Sequence, residues 1–192
     1  DAVESGGYGF DDKTATAIYG LYTAAVFMAA LPGGWIADRL LGAQHAVFWG
    51  AVLMLAGNVL LALQVDVVAF YAGCLLIVLG VGLLKPNISA MVAQLYPEGG
   101  ARRDAGFTIF YMGINIGAFA ATLLCGYLGE TFGWRYGFGA AAIGMLVGLA
   151  TFLYGQRHLH GQAEPRDPAL LRQRSVLGIS KEFTIYLCAL VA

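Results

Sequence analysis

Long apolar segments recur along this chain between short polar breaks, at Thr14 to Ala37, His45 to Leu63, Val67 to Leu95, Phe107 to Leu128 and Tyr136 to Gly155. Each holds about 20 residues or more, and at 1.5 Å per residue a helix of that length crosses a hydrocarbon core of roughly 30 Å. Composition agrees, with 59% hydrophobic and 12% charged residues and a mean hydropathy of +0.70. Those values lie outside the range of a soluble domain. The expected class is therefore all-α, a polytopic membrane protein with five spans. Lys181 to Ala192 reads as the truncated start of a sixth.

Several function classes are excluded at this level. A formal net charge of −1, with eleven Lys and Arg spread over 192 residues, lacks the clustered basic surface that nucleic-acid binding needs. Cys74, Cys125 and Cys188 each sit in an apolar run and read as small core residues, not as a disulfide framework. His158 and His160 stand without further ligands, so no metal is assigned. No nucleophile with its base lies in the spans, so no enzyme is expected. The first dozen residues, DAVESGGYGFDD, are polar and acidic with no signal-peptide pattern, and the chain is expected to begin in mid-protein.

Counting Lys and Arg in alternate breaks orients the spans. One set holds Lys13 and Arg135; the other holds Arg39, Arg102, Arg103, Arg157, Arg166, Arg172, Arg174 and Lys181. The second set is expected to be cytoplasmic, placing the visible start of the chain outside and implying one earlier helix. The resulting division is a partial transmembrane bundle over 1–155, a cytoplasmic linker over 156–180 with Pro165 and Pro168, and a truncated helix over 181–192.

Lys85 is the residue that asks for a function. It lies in LLIVLGVGLLKPNISAMVAQ, Leu75 to Gln94, an otherwise uncharged run. A charge near the middle of a bilayer costs at least a few kcal/mol, so it faces a water-filled cavity or a partner of opposite charge. Pro86 follows and removes a backbone hydrogen bond that neighbouring groups must re-satisfy.

Two further stretches carry chemistry. In GGWIADRLLG, the pattern Gly34-x-x-x-Asp38-Arg39-x-x-Gly42 puts an acid and a base at a helix end, in a tight loop where they pair or cap a neighbour, or form an ordinary polar turn. In FTIFYMGINIGAF, Tyr111 and Asn115 are four apart on one helix face, with Phe107 one turn earlier. The Asn115 amide wants a partner in mid-membrane: an interhelical bond, helped by close approach at Gly113 and Gly117, or a solute. Tyr19 and Tyr22 are aromatic interface anchors or cavity hydroxyls.

FYMGINIG resembles the F-Y-x-x-I-N-x-G signature of the proton-dependent oligopeptide transporters, a branch of the major facilitator superfamily. GGWIADRLLG and GLLKPNIS look like that family's neighbouring motifs, in order, and the resemblance runs from about Tyr19 through Tyr154. It implies an N-terminal helical bundle lacking its first helix, within a two-bundle transporter of the bacterial inner membrane. The implied activity is proton-coupled symport of di- and tripeptides by alternating access, with no cofactor beyond the proton and a site between the bundles near the midplane. The implied partners are peptides, protons, the lipid bilayer, the first helix and the C-terminal bundle. By the same resemblance Lys85 binds a peptide carboxylate or pairs with a first-helix acid, while Asn115 contacts the peptide backbone and Tyr111 accompanies it. Phe27 stands where the family has a substrate-facing tyrosine, and Tyr22 lies nearby. The family's E-x-x-E-R-F acids fall outside this sequence. The rival readings are a carrier of nitrate or another small anion and a non-transporting structural membrane domain.

Overall fold

A computed structural model describes residues 9–156, and among them the secondary structure is entirely helical. The elements are α1 (Asp12–Ile36), a π-helical turn (Ala37–Leu41), α2 (Gly42–Leu63), α3 (Val67–Gln94), α4 (Gly100–Phe132) and α5 (Trp134–Gln156). These five helices are long and apolar enough to cross a membrane. Apart from Gln156, which ends α5, the expected linker over 156–180 lies outside the described residues. So do the expected sixth-helix start, Cys188, and the His158 and His160 pair.

The connections are short because single residues make the corners. Between α2 and α3, Gln64 takes a left-handed conformation at φ 49°, and Asp66 caps α3 by accepting the Ala69 N–H at 2.6 Å. Gly133, at φ 107°, alone separates α4 from α5. Such a conformation suits glycine, which has no Cβ to clash.

The corner after α1 corrects the expectation of a loop over Asp38 to Gln44. Gly34 lies inside α1, Asp38 and Arg39 lie in the π turn, and Gly42 opens α2 at φ 75°. One glycine is enough to turn the chain, so the helix need not unwind around the charged pair. Arg39 packs over the Trp35 ring, 5.3 Å from its centroid. Likewise α4 begins at Gly100 and ends at Phe132, well beyond the apolar run Phe107 to Leu128. Hydropathy marks the lipid-facing length, whereas backbone hydrogen bonding continues into the interface.

The helices pack in the order α1, α3, α2, α5, α4, with α3 against α4 only a light contact. Lipid is as apolar as a side chain, so association rests on close packing, which small residues allow. The α2–α3 seam is antiparallel and pairs Gly50 with Gly80 and Gly57 with Gly73. A Cβ on Gly50 would lie 2.8 Å from the Gly80 carbonyl oxygen, and one on Gly57 2.8 Å from that of Gly73. Both pairs are seven residues apart along each helix, two turns, so they fall on one seam. At α4–α5, a Cβ on Gly137 would meet the Cys125 carbonyl at 2.8 Å.

Gly113 and Gly117 do not make the close approach their spacing suggests, since neither meets any atom of the described residues within 4 Å. Every residue of α4 from Tyr111 to Leu124 is exposed. Cys74 and Cys125 are free thiols in partly buried positions.

Candidate functional site

The site is built on the bend-prone half of α3. Pro86 has no N–H, so the Gly82 carbonyl four residues earlier loses its helical donor. The helix nevertheless runs through unbroken to Gln94. What covers the freed carbonyl is Gly33 of α1: a Cβ there would collide with the Gly82 oxygen, so the glycine Cα–H lies directly against it. In return, a Cβ on Gly82 would lie 2.6 Å from the Ala29 carbonyl. Two residues beyond Lys85, Asn87 is 3% exposed and donates from Nδ2 to its own-helix Leu83 carbonyl at 2.6 Å and to the Gly33 carbonyl of α1 at 3.3 Å.

Lys85 itself is exposed, and its ammonium rests 5.0 Å from the centroid of the Phe27 ring of α1. Helix side chains lean toward the N-terminus, so Lys85 reaches back along α3 to a level of α1 ahead of the Gly33–Gly82 contact. Phe27 is 65% exposed and Lys85 is exposed with it, so the described residues do not enclose the pair. A cation over an aromatic face gains about 0.5–1 kcal/mol when exposed and roughly 2 when desolvated, too little to replace its hydration in a dry site. Among the described residues no carboxylate pairs with it. The arrangement presents a cation in mid-span to whatever anionic group enters.

On α4, Arg103, Phe107, Tyr111 and Asn115 follow at four-residue spacing and so form one stripe. The Arg103 guanidinium sits 5.8 Å over the Phe107 ring, Phe107 and Tyr111 stack at 6.3 Å, and Asn115 donates from Nδ2 to the Tyr111 carbonyl at 2.8 Å. Asn115 therefore bonds within its own helix instead of across to another. One amide hydrogen is used in that bond, and the exposed side chain keeps an oxygen and a second hydrogen for another partner.

Lys85 and Phe27 are thus brought together, as are Tyr111 and Asn115, while the two pairs are carried by helices that barely touch. Tyr22 is half-buried on the side of α1 that approaches Cys74 of α3, and Tyr19 is 71% exposed. Gly34, Asp38, Arg39 and Gly42 lie apart from both pairs, at the end of α1. Sequence reasoning passed over Asn87 and the Gly33–Gly82 contact. Their legible signal is the spacing Gly82-x-x-x-Pro86, which announces a freed carbonyl in need of a neighbour.

The model of the POT family, PTR2, matches residues 44–181. The chain is 49% identical over 154 residues to the peptide transporter YePEPT of Yersinia enterocolitica, covering 78% of this chain and 30% of that protein. It is 43% identical over 167 residues to a di-/tripeptide transporter of Lactococcus lactis subsp. cremoris, covering 86% and 34% respectively. Among solved structures, a variant of the peptide transporter POT in complex with alafosfalin superposes with a TM-score of 0.82 at 42% identity, covering 98% of this chain and 38% of that one. The chain belongs to the POT family and is a multi-pass integral membrane protein. It spans about a third of the length of the curated relatives it matches.

Proposed function

We propose that this chain is part of a proton-coupled symporter that carries di- and tripeptides across a bacterial plasma membrane by alternating access. The observation that carries the reading is the open ammonium of Lys85, in mid-span beside the Phe27 ring. An ammonium suits a peptide's terminal carboxylate, and the Asn115 amide can donate and accept along its backbone. The names of the Yersinia and Lactococcus relatives supply the substrate class. Phe27 offers a ring face where a hydroxyl would offer a hydrogen bond, so it supports the lysine instead of binding the solute by its edge. The chemistry needs no cofactor and no enzyme activity, only the proton as coupling ion. The end bearing Arg39, Arg102 and Arg103 is cytoplasmic in this reading, by the excess of positive charge.

The test is uptake of a labelled dipeptide into proteoliposomes holding the complete transporter that contains this chain, with and without an inward proton gradient. Gradient-driven uptake, competed by unlabelled di- and tripeptides and abolished by Lys85→Ala with insertion intact, is the expected result. Uptake that Lys85→Ala leaves unchanged removes Lys85 from the mechanism. Uptake of nitrate or another small anion in place of peptides overturns the substrate class.

A further inference from the structure

Asn87 has no part in the reading so far, yet it is a buried polar side chain within one turn of Lys85. Two other asparagines and four threonines on these helices bond inside their own turn. Asn58 donates to Met54, Asn115 to Tyr111, and the hydroxyls of Thr23, Thr108, Thr122 and Thr151 to the carbonyls four residues before them, all at 2.8–2.9 Å. Asn87 does this too, and then reaches across to the Gly33 carbonyl of α1. The Gly33 carbonyl already accepts the Ala37 N–H at the end of α1, so Asn87 engages its second lone pair.

We propose that Asn87 is a positioning residue for Lys85: its amide ties the end of α1 to the Pro86 segment of α3 and so keeps the Phe27 ring beneath the lysine ammonium. Three contacts act at one level. Pro86 frees the Gly82 carbonyl, Gly33 is bare enough to lie on it, and Asn87 holds Gly33 there by its own carbonyl. Phe27 lies six residues before Gly33 on the same helix, less than two turns away, so a slip of α1 along α3 at the tie moves the ring by the same amount. A cation–π contact already at 5.0 Å lies near the outer limit of about 6 Å and does not survive much displacement. Asn87 touches neither ring nor ammonium. It acts on the ammonium through the register of two helices.

The inference rests on Lys85 being a substrate-binding residue, and the test separates the two. Asn87→Ser is the informative variant, because a serine hydroxyl bonds to the carbonyl four residues back, as the threonines here do, but is too short to reach Gly33. In the complete transporter, Asn87→Ser is expected to raise the dipeptide concentration for half-maximal uptake about 3- to 10-fold with maximal uptake largely retained, the equivalent of one interhelical hydrogen bond. Asn87→Leu, with the same branched skeleton and without donors, is expected to do the same and serves if the serine variant is lost in purification. In a Phe27→Leu background either change is expected to add less than about twofold, since the contact it protects is already gone. Equal effects in both backgrounds, or no effect on half-maximal concentration in a monodisperse protein, overturn the role of Asn87. Unchanged uptake by Lys85→Ala overturns the reading beneath it instead.

Discussion

Replacing Gly82 by alanine tests the packing argument at the point where it is tightest. A Cβ at this position would lie 2.6 Å from the Ala29 carbonyl oxygen, 2.8 Å from its carbon and 2.8 Å from the Ala29 Cβ. Ordinary contact begins at 3.4 Å, so α1 must withdraw by about 0.8 Å (3.4 − 2.6), and the atoms in the way are backbone or attached directly to it. Overpacking of this kind costs about 1–3 kcal/mol. Alanine recovers about 1 kcal/mol of helix propensity over glycine. Because no flexible side chain can absorb the clash, the net loss falls in the upper half of the difference, about 1–2 kcal/mol. The assay is thermal unfolding of the purified complete transporter in detergent, followed by the loss of monodisperse protein. Gly34→Ala is the comparison: that position is one residue from Gly33 but turned off the seam, and a Cβ there meets nothing within 4 Å. Gly82→Ala is expected to melt several degrees lower and Gly34→Ala at or slightly above the parent. A Gly82→Ala protein that melts with or above the parent refutes the claim that α1 and α3 meet backbone to backbone. Equal losses in both variants show instead a general intolerance of this helix pair to change.

Two other perturbations reach different parts of the structure. Asp66→Ala removes the side chain that accepts the Ala69 N–H, and is expected to destabilise the start of α3 by about 1 kcal/mol, read as a lower melting temperature with dipeptide affinity unchanged. Asn115→Ala keeps the helix, because among the described residues its side chain bonds to its own turn's carbonyl, and is expected to weaken dipeptide binding several-fold with little change in melting temperature; an unaltered binding constant assigns Asn115 to packing.

How far the sequence could be read depended on whether a feature was local. The five helices were legible because an apolar run of sufficient length has one stable form in lipid, and every observed helix contains most of the span expected for it. Their ends were less legible, because α4 extends through Arg102, Arg103 and Asp104, which are charged but helix-compatible. The turn at Asp38 and Arg39 was read as a loop because charge suggests exposure; a π turn ending at Gly42 needs no loop at all. The Gly113 and Gly117 spacing suggests a packing motif, yet among the described residues no other helix approaches it, whereas Gly50 and Gly57 pack intimately at a spacing of seven. A glycine pattern says that close approach is allowed and leaves open which neighbour takes it.

Lys85 followed from the sequence alone, since a charge in an apolar run is costly wherever its helix sits, and so did the Tyr111 and Asn115 pair, which lies within one turn of one helix. Phe27 beneath Lys85, and Asn87 reaching Gly33 across a separation of 54 residues, belong to the tertiary structure. The physical reason is range. Burial and helical periodicity act between neighbours in the chain, so composition and spacing carry them. The meeting of α1 and α3 is decided by which small residues let two backbones approach and by which carbonyl a proline has freed, and those partners are chosen only when the helices assemble.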